Sequence, residues 1–404
     1  MRINPTKCVA EIISVLSYIS DVEGTRKLYH SWKVAILAKN ISERQINDQK
    51  RRDLFYAALL HDIGGISLPF HIIHYLLRQE KVYRNIVISH PIVGAGLTAQ
   101  IPQMNAASKY ILDHHEWIDG TGYPRAKTKE FIPLEAQILR IADAIDILLQ
   151  SKKYSKLALL IKRLKKNAGR EFDVKLLDKA IAALKQNRLF DRITDEKNIV
   201  GLFKHAFAET GFIHIPRRCD AVGKTLETAA EVIDMKHPYT AGHSLRVGHY
   251  SMQVAKAMKL SHDDITKIKW AGLLHDIGKV NLERKILDKP DSLSKAEYHR
   301  VQEHANLTNE IMNLITELKF LAPIASSHHE YFDGSGYPYG LKGEFIPLGS
   351  RVISICDAFD AMISNRPYRK NLSPKTACSQ IKKRSGRQFD PAIVKIAIPI
   401  LKNL

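Results

Sequence analysis

Cysteine is scarce in this 404-residue chain, and long apolar runs are missing. The four cysteines, Cys8, Cys219, Cys356 and Cys378, lie far apart and never form a CxxC pair. That excludes a disulfide framework and points to a reducing, cytoplasmic setting. No apolar stretch approaches the ~20 residues that span a bilayer. The run from Cys8 to Ser20 is broken by Glu11 and has no small-residue cleavage site after it. It reads as a first helix rather than a signal peptide. Period-2 alternation is scarce and no βαβ rhythm appears, which excludes β and α/β architectures and leaves an all-α fold. Acidic residues are in deficit: 42 Asp and Glu face 61 Lys and Arg, for a formal charge of +19. Such a balance suits nucleotides, nucleic acid or an acidic membrane surface, and a generally basic surface accounts for it equally well. With 45% hydrophobic and 25% charged residues, the composition is that of a globular protein.

What the chain does have is a repeat. His61-Asp62-Ile63-Gly64 returns 214 positions on as His275-Asp276-Ile277-Gly278. His90 returns as His304, His114-His115-Glu116 as His328-His329-Glu330, and Asp143 as Asp357, all in the same register. The turns Asp119-Gly120-Thr121-Gly122-Tyr123-Pro124 and Asp333-Gly334-Ser335-Gly336-Tyr337-Pro338 match as well, and His30 pairs with His243 one position out of register. A unit this long is a domain used twice, not a solenoid repeat. The expected division is a first domain over 1–200, a linker over 201–218 marked by Gly201, Gly211 and Pro216, and a second domain over 219–404. Ser261 with Asp264 resembles a capping pair that opens the helix leading to His275-Asp276, and Ser42 with Gln45 suggests the same before His61-Asp62.

The second copy gathers His243, His275, Asp276, His304, His328, His329 and Asp357. One helical histidine is most often a satisfied core residue, but seven donors at matched spacing in two copies are not explained that way. Nitrogen and oxygen donors without thiolate suit Mn, Fe or Zn. Seven ligands exceed what one ion takes, so two divalent ions are expected, with Asp276 bridging and positions left for water and substrate oxygens. A water activated there would attack phosphorus in line, and Lys279, one helical turn past His275, would set an ammonium on the phosphate. Taken alone, the Asp-Gly-x-Gly-Tyr-Pro stretch is an ordinary turn, Cys356 a small core residue, and Arg366-Pro367-Tyr368-Arg369 equally a solvated helix end.

Together these residues resemble the HD-GYP family, a branch of the HD phosphohydrolase superfamily. The likeness covers about residues 225–392 and rests on Tyr239 to Ser244, His275 to Lys279, His304, His328 to Glu330, Gly336-Tyr337-Pro338, Ile346-Pro347-Leu348, Asp357 to Ala361 and Arg366 to Arg369. The resemblance implies a helical domain with an iron or manganese centre that hydrolyses a bacterial cyclic dinucleotide, cyclic di-GMP or 3′3′-cyclic GMP-AMP. It implies the same seven metal ligands, Lys279 on phosphate, Gly336 and Tyr337 lining the substrate site, and Arg366 and Arg369 holding base or phosphate. Trinuclear members carry a glutamate four residues before the first histidine. Tyr239 stands there, which favours two metals.

The first copy keeps His30, His61, Asp62, His90, His114, His115 and Asp143, a second candidate metal set. Gly65 replaces Lys279, Lys152 and Ser155 stand for Arg366 and Arg369, and Ala126 and Lys129 replace Gly340 and Gly343. The first copy is therefore expected to be regulatory or dimerising, with a weaker second active site as the alternative, and a homodimer fits either reading. The rivals to catalysis are a metal-containing sensor of cyclic dinucleotides, an HD phosphohydrolase of other nucleotides, and nucleic-acid binding through the basic charge.

Overall fold

A computed structural model describes residues 3–23, 26–68, 70–74, 83–216, 220–236, 241–282, 286, 289, 291–364 and 371–403. Among these the chain is helical, with one two-residue antiparallel ladder, Val22–Glu23 against Arg26–Lys27. None of the described helices is long and apolar enough to cross a membrane. Cα packing separates two compact units: Ile13–Ala221, and Val222–Leu404 together with Met1–Ile12.

After α1 (Pro5–Ser20), the first unit runs α2 (His30–Ile41), α3 (Asp48–Leu60), α4 (Arg84–Gln100), α5 (Asn105–Asp113), α6 (Leu134–Leu149), α7 (Leu157–Lys165), α8 (Val174–Lys185), α9 (Leu189–Thr194) and α10 (Glu196–Thr210). The second runs α11 (Ala221–Met235), α12 (His243–Ala257), α13 (His262–Leu274), α14 (Lys295–Leu314), α15 (Ala322–Ser326), α16 (Leu348–Ile363), α17 (Pro374–Lys383) and α18 (Pro391–Leu401).

Segment 201–218 was expected to be a linker, yet it begins inside α10. Gly201 is a helical residue, and the helix stops at Gly211, whose φ of 73° lies in the left-handed region. The apolar face decides this: Leu202, Phe203 and Ala206 are buried, and the Phe203 ring stacks on Trp32 at 4.1 Å. The caps of the two corresponding helices differ. Ser261 does cap α13, accepting from the Asp264 N–H, but the first unit uses Asn47, whose Oδ1 accepts from Lys50 N–H at 2.9 Å. Ser42 instead closes α2. Asn47 is the residue in register with Ser261, and both side chains offer the oxygen that an N-cap requires.

Each His-Asp pair sits where its helix ends. His275 is the last αR residue after α13, and a short 3₁₀ turn, Ile277–Asn281, then lies against α14. That contact is possible only because Gly278 lacks a side chain. A Cβ there would stand 2.0 Å from the His304 carbonyl oxygen, and one on Gly64 would stand 2.2 Å from that of His90. Thr308 finishes the join: its Oγ1 accepts from Gly278 N–H and donates to the His275 carbonyl, each at 3.1 Å.

Gly278→Ala should therefore lower stability by ~1–3 kcal/mol through overpacking against α14. Gly96→Ala, in α4 with nothing within 4 Å of its added Cβ, should raise it by up to ~1 kcal/mol. Urea unfolding of both variants measures the contrast.

Candidate metal centre

Four imidazoles of the second unit are fixed by the nitrogen that faces away from the cluster. His275 Nδ1–H donates to the Gly272 carbonyl at 2.8 Å and His328 Nδ1–H to the Ala325 carbonyl at 2.7 Å. His304 does the same to Val301. Each acceptor lies three residues back, so the histidine's own helical turn supplies it. His243 is the first residue of α12, so no residue of its own helix lies three positions back, and its Nδ1–H donates to Asp360 Oδ2 at 2.7 Å. A proton held on Nδ1 leaves the Nε2 lone pair pointing inward, the arrangement metal-binding histidines adopt.

The inward atoms converge on two carboxylates. Asp276 Oδ2 lies 3.3 Å from His275 Nε2 and 3.8 Å from His243 Nε2, and Asp276 Oδ1 lies 3.6 Å from His304 Nε2 and 3.9 Å from His328 Nε2. Asp357 Oδ1 lies 3.2 Å from His243 Nε2. His329 completes a group with His304 and His328 whose ligand atoms are all within 4.8 Å of one another. Its ring packs on Tyr337 at 4.8 Å. The structure thus brings together all seven expected ligands.

These donors fit divalent cations. His275 Nε2, His304 Nε2, His328 Nε2 and Asp276 Oδ1 are buried with no hydrogen-bond partner, whereas buried polar atoms normally have one. Burial together with Lys279 pushes His304 down to about 4, and burial together with His304 pushes His329 down to about 3. Burial and His329 hold His328 well below the usual imidazole range. All three are neutral at pH 7, the form that ligates metal. Burial opposes charge on Asp276, but His275 and Lys279 hold its carboxyl well below the carboxylate range. At His243 burial is outweighed by Asp357 and Asp360, which raise it to about 10. A cation held by these groups would take over the role of that proton. Cys356 contributes nothing: it is fully buried, and burial raises its thiol to about 12.

Lys279 Nζ lies 2.6 Å from Asp276 Oδ2 and keeps some exposure at the edge of the cluster. Gly336 sits against backbone, with a Cβ placed there only 2.2 Å from Tyr331 N. Its turn is held by Glu330, whose two carboxylate oxygens accept from Tyr339 N–H at 2.6 Å and Leu341 N–H at 3.0 Å. Arg366, Arg369 and Tyr239 lie outside the described residues. The helix after that segment starts at Pro374, against Leu157 in the first unit. The register has moved from 214 to 217, so Lys152 and Ser155 match Arg366 and Arg369 only across segments of unequal length.

Three positions with no role foreseen prove central: Asp360 behind His243, Glu330 under the turn, and Thr308 between helices. Asp360 also receives Arg246, with Nε at 2.6 Å and Nη2 at 3.0 Å.

The first unit repeats the anchoring. His61, His90 and His114 donate to Ala58, Val87 and Ile111 at 2.9, 2.6 and 2.6 Å, and His30 to Asp146 at 2.7 Å. Asp62, His90, His114 and His115 form one candidate group, and His30, His61 and Asp143 another. Both oxygens of Asp62, Asp143 Oδ1 and His115 Nε2 are buried without partners. Here Arg140 donates to Asp143 Oδ2 at 2.6 Å and to Glu171, a pairing the repeat does not foretell, since Ser354 occupies the matching place in the second unit.

Asp360→Asn should keep the fold and weaken metal binding at the second unit 10- to 100-fold, as loss of a carboxylate behind a ligating histidine does. Metal content after dialysis, compared with wild type, reads this directly.

The family model for the HD domain (HD_5) matches residues 18–176 and again 227–393. The 3′3′-cGAMP-specific phosphodiesterase 3 of Vibrio cholerae is 32% identical over 316 residues, 77% of this chain and 67% of that protein. The cyclic di-GMP phosphodiesterase of Thermotoga maritima is 35% identical over 180 residues, 43% of this chain and 49% of that protein. The crystal structure of a cyclic GMP-AMP specific phosphodiesterase of V. cholerae, V-cGAP3, aligns with a TM-score of 0.64 at 25% identity, covering 98% of each chain. Since the match returns in both units, with a buried His-Asp pair at the same place in each, the chain belongs to the HD domain family as a tandem member of its HD-GYP branch.

Proposed function

We propose that the second unit hydrolyses a phosphodiester bond of a bacterial cyclic dinucleotide, with 3′3′-cyclic GMP-AMP as the first substrate to test and cyclic di-GMP as the second. One observation carries the reading: anchored imidazoles and two carboxylates turn unpartnered donor atoms toward one point, with an ammonium at its edge. The relative that matches 77% of this chain and the solved structure that aligns over 98% of it are both named for cyclic GMP-AMP, which sets the order of testing. The ligands are His243, His275, Asp276, His304, His328, His329 and Asp357, and the donor set suits two iron or manganese ions. Bound there, such ions supply Lewis-acid polarisation of the phosphoryl oxygens and a nucleophilic water at neutral pH.

The remaining work falls to the chain. Asp276 stays ionised beside His275 and Lys279, so its carboxylate would help to hold the ions. Lys279, partly exposed and directed at the cluster, steadies charge building on a non-bridging phosphate oxygen. Tyr337, backed by His329, offers a ring face at the rim. The Glu330 carboxylate keeps the turn carrying Gly336 and Tyr337 in place. Arg366 and Arg369 are assigned to the base or phosphate of the substrate.

Protein reconstituted anaerobically with iron or manganese should linearise 3′3′-cyclic GMP-AMP or cyclic di-GMP, with product read by chromatography. Asp276→Ala should abolish turnover, and Lys279→Ala should lower kcat by about 100-fold while leaving metal content near that of wild type. Undiminished hydrolysis by Asp276→Ala would remove the second centre from the reaction.

A further inference from the structure

We infer that the first unit holds a nucleotide-binding pocket of its own, shaped for a nucleoside monophosphate and placed beside its His/Asp cluster. A cavity occurs at the same place in the repeat in both units, walled by Ala144, Leu164 and Phe172 in one and Ala358, Ile381 and Phe389 in the other. The first unit's cavity is about 440 Å³, within the size range of small-molecule sites. It reaches inward to Tyr123 and Arg140, and the Tyr123 ring stacks on His115 at 4.7 Å.

The polar chemistry of this cavity is one-sided. Arg140 is held rigid, with Nη1 on Asp143 and Nη2 on Glu171, whose second oxygen takes the Asn167 amide. Glu171 is thus engaged at both oxygens and Asp143 at Oδ2, while Arg140 Nε and Tyr123 Oη remain buried with no hydrogen-bond partner. Burying donors unmade is costly, so they point to an acceptor supplied from outside the chain. Arg163, half-buried on the wall, adds a guanidinium where the second unit has Gln380, three positions out of the 214 register, as Leu157 and Pro374 show. Guanidinium groups pair with phosphate through two parallel hydrogen bonds.

Trp117, Leu148, Leu164 and Phe172 give the rest of the cavity an aromatic and apolar wall, which suits a flat heterocycle. A ligand rich in acceptor oxygens at one end and flat at the other is a nucleotide. Gly65 stands where the second unit has Lys279, so this pocket binds without the ammonium that accompanies turnover. The inference rests on the first unit alone and does not depend on hydrolysis at the second.

The test uses the full chain carrying Asp276→Asn, so that turnover at the second unit does not enter the result. Isothermal titration with GMP, AMP and inorganic phosphate should show one GMP or AMP bound per chain, with inorganic phosphate at least tenfold weaker. Arg163→Gln in that background should weaken nucleotide binding about tenfold. Tyr123→Phe should weaken it several-fold, and thermal melts should show both variants folded. Absence of binding at millimolar nucleotide, or binding untouched by both substitutions, would overturn the proposal. Inorganic phosphate binding as tightly as the nucleotides would overturn it too, since the site would then be a bare anion hole.

Discussion

Everything at this centre depends on where the imidazole protons are held. An unconstrained histidine exposes either ring nitrogen and turns freely about its side-chain bonds. Here Nδ1–H is tied to the carbonyl three residues back at His275, His304 and His328, and to the Asp360 carboxylate at His243. The tie fixes tautomer and ring direction together, so the Nε2 lone pairs converge without help from outside the fold. Asp276 occupies the point of convergence, and His275, the residue before it, is also the residue that ends α13. Helix termination and ligand placement are one event.

The surrounding packing serves that event. Asp234 accepts from both Ser244 N–H and Ser244 Oγ–H, at 3.0 and 2.7 Å, and so anchors α12 at its second residue, beside His243. Asp21 does the same for Ser31 in the first unit, at 2.9 Å for both bonds. The Gly278 backbone rests directly on that of His304, which brings the third imidazole to the Asp276 carboxylate. The buried carboxylates of Asp234 and Asp21 are tolerated because each finds donors; unpaired, each would carry a large desolvation penalty.

Much of this was legible in the sequence because it is local or repeated. The His-Asp pairs, the paired histidines before the Gly-Tyr-Pro turn and the all-helical class rest on short motifs and on register, and two copies at one spacing excluded chance. What remained hidden joins residues distant in sequence. The bond from Asp360 to His243 crosses 117 positions, and no spacing rule ties two such residues. Thr308 and Glu330 act on backbone groups, which leave no trace in side-chain patterns. Arg140 is a change confined to the first copy, and its meaning depends on Glu171, which looks like any surface acid until α6 and the 166–172 turn meet. The α3 cap does not stand out in the sequence because Ser42 is as good a capping residue as Asn47; only the register separates them.

The exposure pattern has a bearing on how such a tandem chain ages. His61, His90 and His114 are fully buried, as are their counterparts His275, His304 and His328 to within 1%, so each is as much part of the hydrophobic framework as a leucine. Lys279 is at the solvent edge, with a quarter of its side chain accessible. After a duplication, drift can replace an edge lysine by glycine at little structural expense, while replacing a framework histidine leaves a hole and a stranded carboxylate. Loss in the redundant copy is therefore ordered from the outside inward. An idle unit of this fold keeps its inner residues as a fossil of the chemistry, available for another use long after the outer ones have gone.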